Sequence, residues 1–234
     1  ENKVMSLKTR FGNLGNILDF DNLTEDNIYV LESPILTNSQ FKKFKSIFKS
    51  KVRVIDCTFD INFSLKDRIE EIRDEAETAV REGSNNLILS DKKINTSRAS
   101  IPSVLAVGAV HSHLVKLGLR GYCSINVESS DTLDTHSFAV LIGVGATTVN
   151  PYLAIDSIYE RYQKKLFNNA DFETCVAKFK KSIDDGLLKI MSKMGISVIS
   201  SYRGGCNFEA VGLSRAIAAD YFPGMSSRIS GIGI

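Results

Sequence analysis

The sequence predicts an α/β protein in which parallel βα units are accompanied by additional helices. Short apolar runs rich in Val, Ile and Leu alternate with stretches of helical periodicity between residues 51 and 165. Capping residues open the helical stretches and glycines close them, as expected for strand–helix repeats. Strands joined by helices of this length pair in parallel through right-handed crossovers. The residues alone leave two arrangements open, an open sheet and an incomplete βα barrel.

The first unit begins with a β-branched strand at residues 52–57. Ser64 predicts a helix start, with Asp67 three residues later as in a capping box. Gly83 predicts the helix end, and a buried strand follows at residues 87–89. One apolar face at spacings of three and four supports the helix, and it consists of Leu65, Ile69, Ile72, Ala76, Ala79 and Val80.

The pattern then repeats. Ser100 and Pro102 predict the start of a second helix, which Gly118 closes. The remaining repeats comprise a strand at 123–127, a helix at 134–142 and a strand at 147–149.

After Pro151 the periodicity is helical. A long apolar stripe predicts a helix over residues 172–194 that ends at Gly195. A fifth strand is expected at 196–200, followed by a glycine-containing loop and short helices to about residue 221. The tail, residues 224–234, is rich in Ser and Gly.

Composition excludes several classes of protein. The 234 residues carry a net charge of +2, which gives no basic surface for nucleic acid. The longest apolar run has nine residues, too few to span a membrane. The four cysteines are widely separated, so we expect reduced thiols in a cytoplasmic protein, with Cys57 and Cys123 in the core. The chain begins with Glu1, and we expect both ends to be cuts through a longer protein.

Three familiar site patterns fail. His111 and His113 lie two apart in a helical pattern, which points their rings in different directions, so no metal site is expected. No GxSxG motif is present for a serine hydrolase. The sequence GVGA at 143–146 follows a helix and leads into a strand, which indicates a tight turn rather than a dinucleotide fingerprint.

The best-placed polar loop follows the expected fifth strand. Its backbone N–H groups could hold an anion beside an arginine, or the arginine could clamp a neighbouring carboxylate. Lys189 and Lys193 could face this loop or simply be solvated. The loop residues proposed as an anion or inter-domain site are Ser201, Tyr202, Arg203, Gly204 and Gly205.

Separated stretches of the sequence resemble the large subunit of glutamate synthase across essentially the whole chain. The matching stretches are VMSL at 4–7, GNLGNIL at 12–18, ESPIL at 32–36, IP at 101–102, AVHSH at 109–113, VGATTVNPYLA at 144–154, GLLKIMSKMGIS at 186–197, SYRGG at 201–205 and SRISGIG at 227–233. The sequence at 143–150 and 201–209 resembles the bacterial NADPH-type subunit more than the ferredoxin type. The matched part is the central domain, for which the resemblance implies a reduced TIM-barrel-like fold.

The resemblance implies an enzyme that is divided among several domains. An amidotransferase domain with an N-terminal Cys nucleophile releases ammonia from glutamine. The ammonia passes through a tunnel to an FMN-binding barrel, where 2-oxoglutarate becomes glutamate, while a 3Fe–4S cluster relays electrons. A small subunit oxidises NADPH, and a C-terminal β-helix completes the large one.

None of these catalytic or cofactor-binding roles transfers to a residue of this chain. Position 1 is Glu, the cysteines are too scattered for a cluster, and the main FMN-binding stretch lies beyond residue 234. Cys206 stands where the family has a small residue. The segment is therefore expected to be inactive alone, with no catalytic, cofactor or metal residues of its own.

The expected role is connection between the amidotransferase and FMN-binding domains of the same chain, with a share in the tunnel wall. The loop 201–205 and the segment 5–16 are the expected inter-domain contacts. Within residues 1–234 we expect a leading segment at 1–50, a βα core at 51–165, and a helical stretch at 166–234 that leads to the FMN barrel. The alternative is an autonomous α/β domain that binds a small anion or dicarboxylate through the Arg203 loop, with His111 and His113 as further candidate contacts.

Overall fold

The computed structural model describes residues 4–13 and 29–234. In the N-terminal part, strands β1 (Thr9–Phe11) and β2 (Tyr29–Leu31) pair antiparallel. Helix α1 (Asn38–Phe48) follows, and Thr37 caps it through a complete capping box with Gln40.

The remaining elements follow in chain order. They are β3 (Val52–Asp56), β4 (Thr58–Asp60), α2 (Leu65–Arg81), β5 (Asn86–Ser90), β6 (Arg98–Ser100), α3 (Ser103–Lys116), β7 (Ser124–Glu128), α4 (Thr135–Gly143), β8 (Thr148–Asn150), α5 (Tyr152–Gln163), α6 (Phe172–Met194), α7 (Ile199–Tyr202), β9 (Glu209–Leu213), α8 (Arg215–Tyr221) and β10 (Ser226–Ile232).

The central sheet consists of parallel strands paired in the order β3–β5–β7–β8, which is also their order in the chain. Sequential neighbours joined by helices are the arrangement found in βα barrels, here in an incomplete set. Beyond β8, the sheet gains one parallel bridge from Ile35 to Val149. The predicted α/β class and the four predicted strands are thus confirmed.

Local capping explains why the predicted helices end where they do. The Ser64 hydroxyl accepts a hydrogen bond from the Asp67 amide at the start of α2. Gly83 and Gly195 adopt φ of +91° and +69° after α2 and α6, backbone angles that favour glycine. Cys57 and Cys123 are buried, as predicted.

Ser100 lies in a strand rather than opening a helix. It belongs to β6, which pairs antiparallel with β4, and α3 begins at Ser103 behind Pro102. This small ribbon was not predicted because three-residue strands carry too little periodicity to stand out from loops.

The fifth strand predicted at 196–200 is wrong. Only Val198 pairs with another strand-like residue, through a single bridge to Ser6, and the chain then turns into the short helix α7. The reason is packing: a helical turn brings both Ile199 and Tyr202, three residues apart, into the core.

The Ser/Gly-rich tail forms a strand. β10 pairs in parallel with β9, and α8 lies between them in the chain. Of the short helices predicted up to residue 221, α8 is present. Arg73 of α2 anchors it, with the guanidinium 4.7 Å from the Tyr221 ring centroid and 3.2 Å from the Asp220 carboxylate.

The two faces of the sheet differ sharply in chemistry. One face packs against the helices through Leu87, Ile125 and Val149, all fully buried. The other face, which we call the polar face, is also buried but consists largely of polar side chains. These are Asn86, Ser90, Ser124, Asn126, Glu128, Thr148 and Asn150.

Hydrogen bonds across the strands satisfy the centre of the polar face. The Asn126 amide donates to the side-chain oxygen of Asn86 and to the Leu87 carbonyl, both at 3.3 Å. The Thr148 hydroxyl donates to the Asn126 side-chain oxygen at 2.6 Å. Asn126 therefore links three strands.

Replacing Asn126 by leucine is expected to lower the free energy of unfolding by about 2 kcal/mol, because buried partners on two strands lose their hydrogen bonds. Urea denaturation followed by circular dichroism measures this. Val54→Ala is the matched control, since Val54 is 51% exposed at the sheet edge and its loss should cost about 0.5 kcal/mol or less. Equal effects of the two substitutions would contradict the structural role of Asn126.

Candidate functional site

The loop 201–205 lies at the amino ends of β7 and β8. The Gly204 N–H donates to the Gly143 carbonyl at 2.8 Å, in the turn that precedes β8. The expectation that this loop follows a strand and opens a helix is wrong, because its first two residues end α7 and the next element is β9. The tight turn predicted at 143–146 is confirmed, with Gly145 at φ +130°.

The backbone of the loop does not form the expected anion cradle. The N–H groups of Ser201, Arg203, Gly204 and Gly205 all donate to backbone carbonyls within the domain. Any binding of an anion here therefore depends on side chains. The assignment of residues 201–205 to an anion or inter-domain contact remains a proposal.

Tyr202 and Arg203 point into the domain. Tyr202 is 1% exposed, and its hydroxyl has no hydrogen-bond partner among the described residues. Burial raises the pKa of this phenol to about 12. The Arg203 Nε donates to the Ala146 carbonyl at 3.0 Å, so the arginine clamps a carbonyl and not the carboxylate that sequence reasoning considered.

Arg120 connects His111 to the turn at residues 143–146. Its Nε donates to His111 Nδ1 at 3.1 Å, and its terminal nitrogens donate to the Cys123 and Gly145 carbonyls at 2.5 and 2.9 Å. Because Nδ1 accepts this hydrogen bond, the neutral His111 ring carries its proton on Nε2. Burial, and then the charges of Arg120 and Arg203, lower the pKa of His111 to about 4.

The two histidines of the HxH motif serve different contacts, as their helical spacing predicts. His113 Nε2 lies 3.0 Å from the Glu77 carboxylate on α2, whereas His111 faces the turn at Gly145. The structure thus brings Arg203 and His111 together and leaves His113 elsewhere. Lys189 and Lys193 are exposed on α6.

The predicted contact segment 5–16 is described only up to Asn13, and residues 14–16 lie outside the described part. Leu7 and Phe11 are buried in the core. The Ser6 N–H donates to the Ser197 carbonyl at 2.8 Å. The described part of this segment is therefore held by contacts inside the domain.

A second polar cluster lies at the opposite, carboxyl end of the sheet. Glu128 ends β7 with a side chain only 4% exposed. Its carboxylate accepts from the Ser90 hydroxyl at 2.7 Å and pairs with Lys45 and Lys92 at 3.2 and 3.0 Å. Burial alone would raise the pKa of Glu128, but Ser90 and the two lysines hold it below its ordinary value.

Asp91 lies beside this cluster, and its pKa is shifted in the opposite direction. One of its carboxylate oxygens accepts from the Ser130 amide and hydroxyl at 2.8 and 2.6 Å. The other oxygen has no hydrogen-bond partner in the described part of the chain. Burial raises the pKa of Asp91, although Ser130 and the nearby Tyr152 hydroxyl oppose that shift.

Sequence reasoning missed this cluster, although its signal was present. Ser90, Asp91 and Glu128 end predicted parallel strands, and in α/β folds the carboxyl ends of strands are where sites form. Apolar and polar residues alternate in β7, a pattern typical of a strand with one solvated face, whereas a strand inside a parallel sheet is covered on both faces.

Residues 4–13 and 29–234 contain neither a cluster of metal ligands nor a membrane-spanning helix. In this part of the chain, no three His, Cys, Asp or Glu side chains converge as metal ligands. None of the helices described there is long and apolar enough to cross a bilayer.

Glu128→Gln is expected to lower the free energy of unfolding by about 2 kcal/mol at neutral pH, because Lys45 and Lys92 then lose their shared partner. The folded pKa of Glu128 is lowered, so its contribution is complete above the ordinary value of 4.5 and is lost as the pH falls through the folded value. The difference between wild type and variant should therefore shrink in acid. Urea unfolding across this pH range measures it.

Asp91→Asn provides the opposite comparison. Because the folded pKa of Asp91 is raised, its ionised form weakens the fold at neutral pH, and this cost disappears as the pH falls. The asparagine variant should gain stability relative to wild type as the pH rises. If the stability of both variants relative to wild type changed with pH in the same direction, the opposite pKa shifts of Glu128 and Asp91 would be contradicted.

Gly145→Ala tests the packing of His111. The new Cβ would meet the His111 ring at a backbone φ of +130°, so we expect a loss of about 3 kcal/mol. Gly83→Ala is the matched control, with φ +91° but nothing within 4 Å of its Cβ, and should cost about 1 kcal/mol. Thermal unfolding of both variants compares them, and equal losses would contradict the contact with His111.

A family model described as glutamate synthase central domain matches residues 1–214. The chain is 55% identical over 237 residues to the glutamate synthase [NADPH] large chain of Azospirillum brasilense. It is 42% identical over 243 residues to that of Bacillus subtilis (strain 168), and 38% over 250 residues to the ferredoxin-dependent glutamate synthase of Pyropia yezoensis. Each comparison covers 100% of this chain but only 15–16% of the relative.

Among solved structures, DHODH from Eimeria tenella in complex with ferulenol shares 16% identity at a TM-score of 0.44. That comparison covers 67% of this chain and 38% of the other, a likeness too partial to add to the assignment. The family match and the three sequence identities are sufficient by themselves: the chain belongs to the glutamate synthase central-domain family, on the side of the NADPH-type large chains.

Proposed function

We propose that the chain is the connecting domain of an NADPH-type glutamate synthase, which transfers the amide nitrogen of glutamine to 2-oxoglutarate. The observation that carries this is the family match over residues 1–214. In this proposal the domain joins the amidotransferase and FMN-binding domains of one cytoplasmic large chain and forms part of the ammonia tunnel wall. FMN and the 3Fe–4S cluster belong to other domains, and NADPH to the small subunit.

The contacts of the candidate polar side chains support a connecting role. Arg203 holds the Ala146 carbonyl, Arg120 holds His111, and His113 pairs with Glu77. Each of these groups fixes one element of the domain against another. A rigid body of this kind can keep two reaction sites at a fixed separation and transmit a change of state between them.

The parallel ribbon β9–β10 supports a contact with the FMN-binding domain. Val211, Ile229 and Ile232 are 65%, 62% and 73% exposed. Parallel strands are ordinarily covered on both faces, so this ribbon fits a surface that another domain buries. The loop 201–205 and the segment 5–16 are proposed as further contacts.

The proposed division into residues 1–50, 51–165 and 166–234 describes roles within one unit. Leu7, Ile35, Leu87 and Tyr202, drawn from all three parts, belong to the same hydrophobic core. A movement in one part would therefore be felt in the others, as transmission between sites requires.

Replacing Ile229 by aspartate in the full-length large chain is expected to uncouple glutamine hydrolysis from glutamate formation. A carboxylate in an apolar contact costs about 1.4 kcal/mol or more, which corresponds to roughly a tenfold weaker contact. The measurement is the ratio of ammonia released to glutamate formed. Ile47→Asp, at a 42% exposed position on α1, is the control.

The ratio should rise in Ile229→Asp and stay unchanged in Ile47→Asp. An unchanged ratio in both variants, with both proteins folded, would contradict the proposed contact between the ribbon and the FMN-binding domain.

A further inference from the structure

Arg120 and Arg203 place two positive charges close together without a matching negative one. Both charges act on His111, and Arg120 acts on Arg203. Of the described residues, no Asp or Glu forms an ion pair with either arginine; their partners are backbone carbonyls, His111 and Thr147. Like charges that are partly removed from water without a counter-ion are costly to hold in place.

The surrounding dipoles offset only part of this charge. The C-terminal end of α4 and its turn present the carbonyls of Gly143, Gly145 and Ala146. A helix C-terminus carries a partial negative charge of roughly half an elementary charge, less than the charge of two arginines. The terminal nitrogens of Arg203 form no hydrogen bond with any residue in the described ranges, so a positive surplus remains.

A cavity of about 200 Å³ reaches the other side of His111, whose Nδ1 accepts from Arg120; neither arginine lines the cavity itself. His111 and Gly204 line it on one side, and the His111 Nε2 atom is the nearest atom to the open side of Gly204. The proton on Nε2 finds no acceptor among the described residues. Apolar side chains form much of the remaining wall, namely Val115, Val144, Phe222, Pro223 and Met225.

We propose that this cavity binds a small organic carboxylate, with one carboxylate oxygen accepting the Nε2 proton of His111 and the hydrocarbon part packing on Phe222 and Met225. The surplus charge of the two arginines selects an anion, and the apolar walls select one with a short aliphatic chain over inorganic phosphate. The site is distinct from the proposed ribbon contact, since no residue of β9 or β10 lines the cavity.

The protonation of His111 fits this ligand. Because its pKa lies at about 4, His111 is a neutral donor throughout the neutral range. Binding should therefore be nearly constant between about pH 6 and pH 8, since neither the donor nor a carboxylate with a pKa near that of Glu titrates there.

Cys206 provides a reporter inside the protein. It lines the cavity and is exposed, with its Sγ 3.7 Å from the Pro223 carbonyl. In the full-length large chain, iodoacetamide should alkylate Cys206, and butyrate should slow this reaction saturably by about tenfold or more. Mass spectrometry of the peptides gives the rate at each cysteine, and Cys175, which lines a different cavity, is the internal control.

Two variants test separately the charge of Arg203 and the free volume of the cavity. Arg203→Met should weaken protection by butyrate about tenfold, whereas Lys42→Met, which removes an exposed charge on α1, should leave it unchanged. Val115→Phe fills the cavity from a wall residue that is 52% exposed and should abolish protection while both arginines remain. Each rate is compared with that of the same variant without butyrate.

Three outcomes would overturn the proposal. Cys206 that is unreactive without butyrate would show a cavity closed by another part of the large chain. Equal protection by butyrate and inorganic phosphate, or protection that survives Val115→Phe, would show a general salt effect. None of these outcomes bears on the ratio of ammonia to glutamate that tests the connecting role.

Discussion

The structure depends on one constraint: the buried polar face of the sheet must be fully hydrogen-bonded. Side chains such as Ser124, Asn126 and Asn150 are 3% exposed or less, and unpaired polar groups at such positions are costly. Strand-to-strand bonds satisfy the centre, but the margins need partners from outside the sheet. The N-terminal part of the chain supplies them. The Gly12 N–H donates to the Ser124 hydroxyl at 2.9 Å, and the Asn150 amide donates to the Leu36 carbonyl at 2.9 Å.

This constraint explains why the N-terminal part is integral to the domain. Its aromatic side chains Phe11, Phe41 and Phe44 pack with Ile88 on the polar face, where they exclude water from the neighbouring amides. Lys45, which lies on α1 with Phe41 and Phe44, forms an ion pair with Glu128. The described N-terminal residues therefore supply both the apolar cover and the polar partners of this face. The same contacts place Ile35 beside Val149 as an extension of the sheet.

The sequence predicts the helices better than the faces of the sheet, for physical reasons. Helix α2 carries its own signals, since the Ser64 cap, the apolar face and Gly83 are all local. Residues 196–200 also carry an apolar pattern, but as a strand they depend on a partner more than 190 residues away, and Val198 pairs there with Ser6 through one bridge. Strand β10 is similar, since it exists only through its pairing with β9. The polar face and its Glu128 cluster were hidden because alternation in β7 normally indicates one solvated face, a rule that fails inside a parallel sheet.

The two ends of the sheet solve the problem of buried charge in different ways. At the carboxyl end, Lys45 and Lys92 face Glu128 with Asp91 beside it, so the formal charges of the cluster balance. At the amino end, the partners of Arg120 and Arg203 within the described residues are carbonyls, a hydroxyl and a neutral imidazole. A balanced cluster needs no counter-ion from outside. An unbalanced one beside a cavity lowers its free energy when an anion arrives. The polar chemistry that could respond to a ligand therefore lies at the end of the sheet opposite to the one where α/β folds ordinarily place their sites.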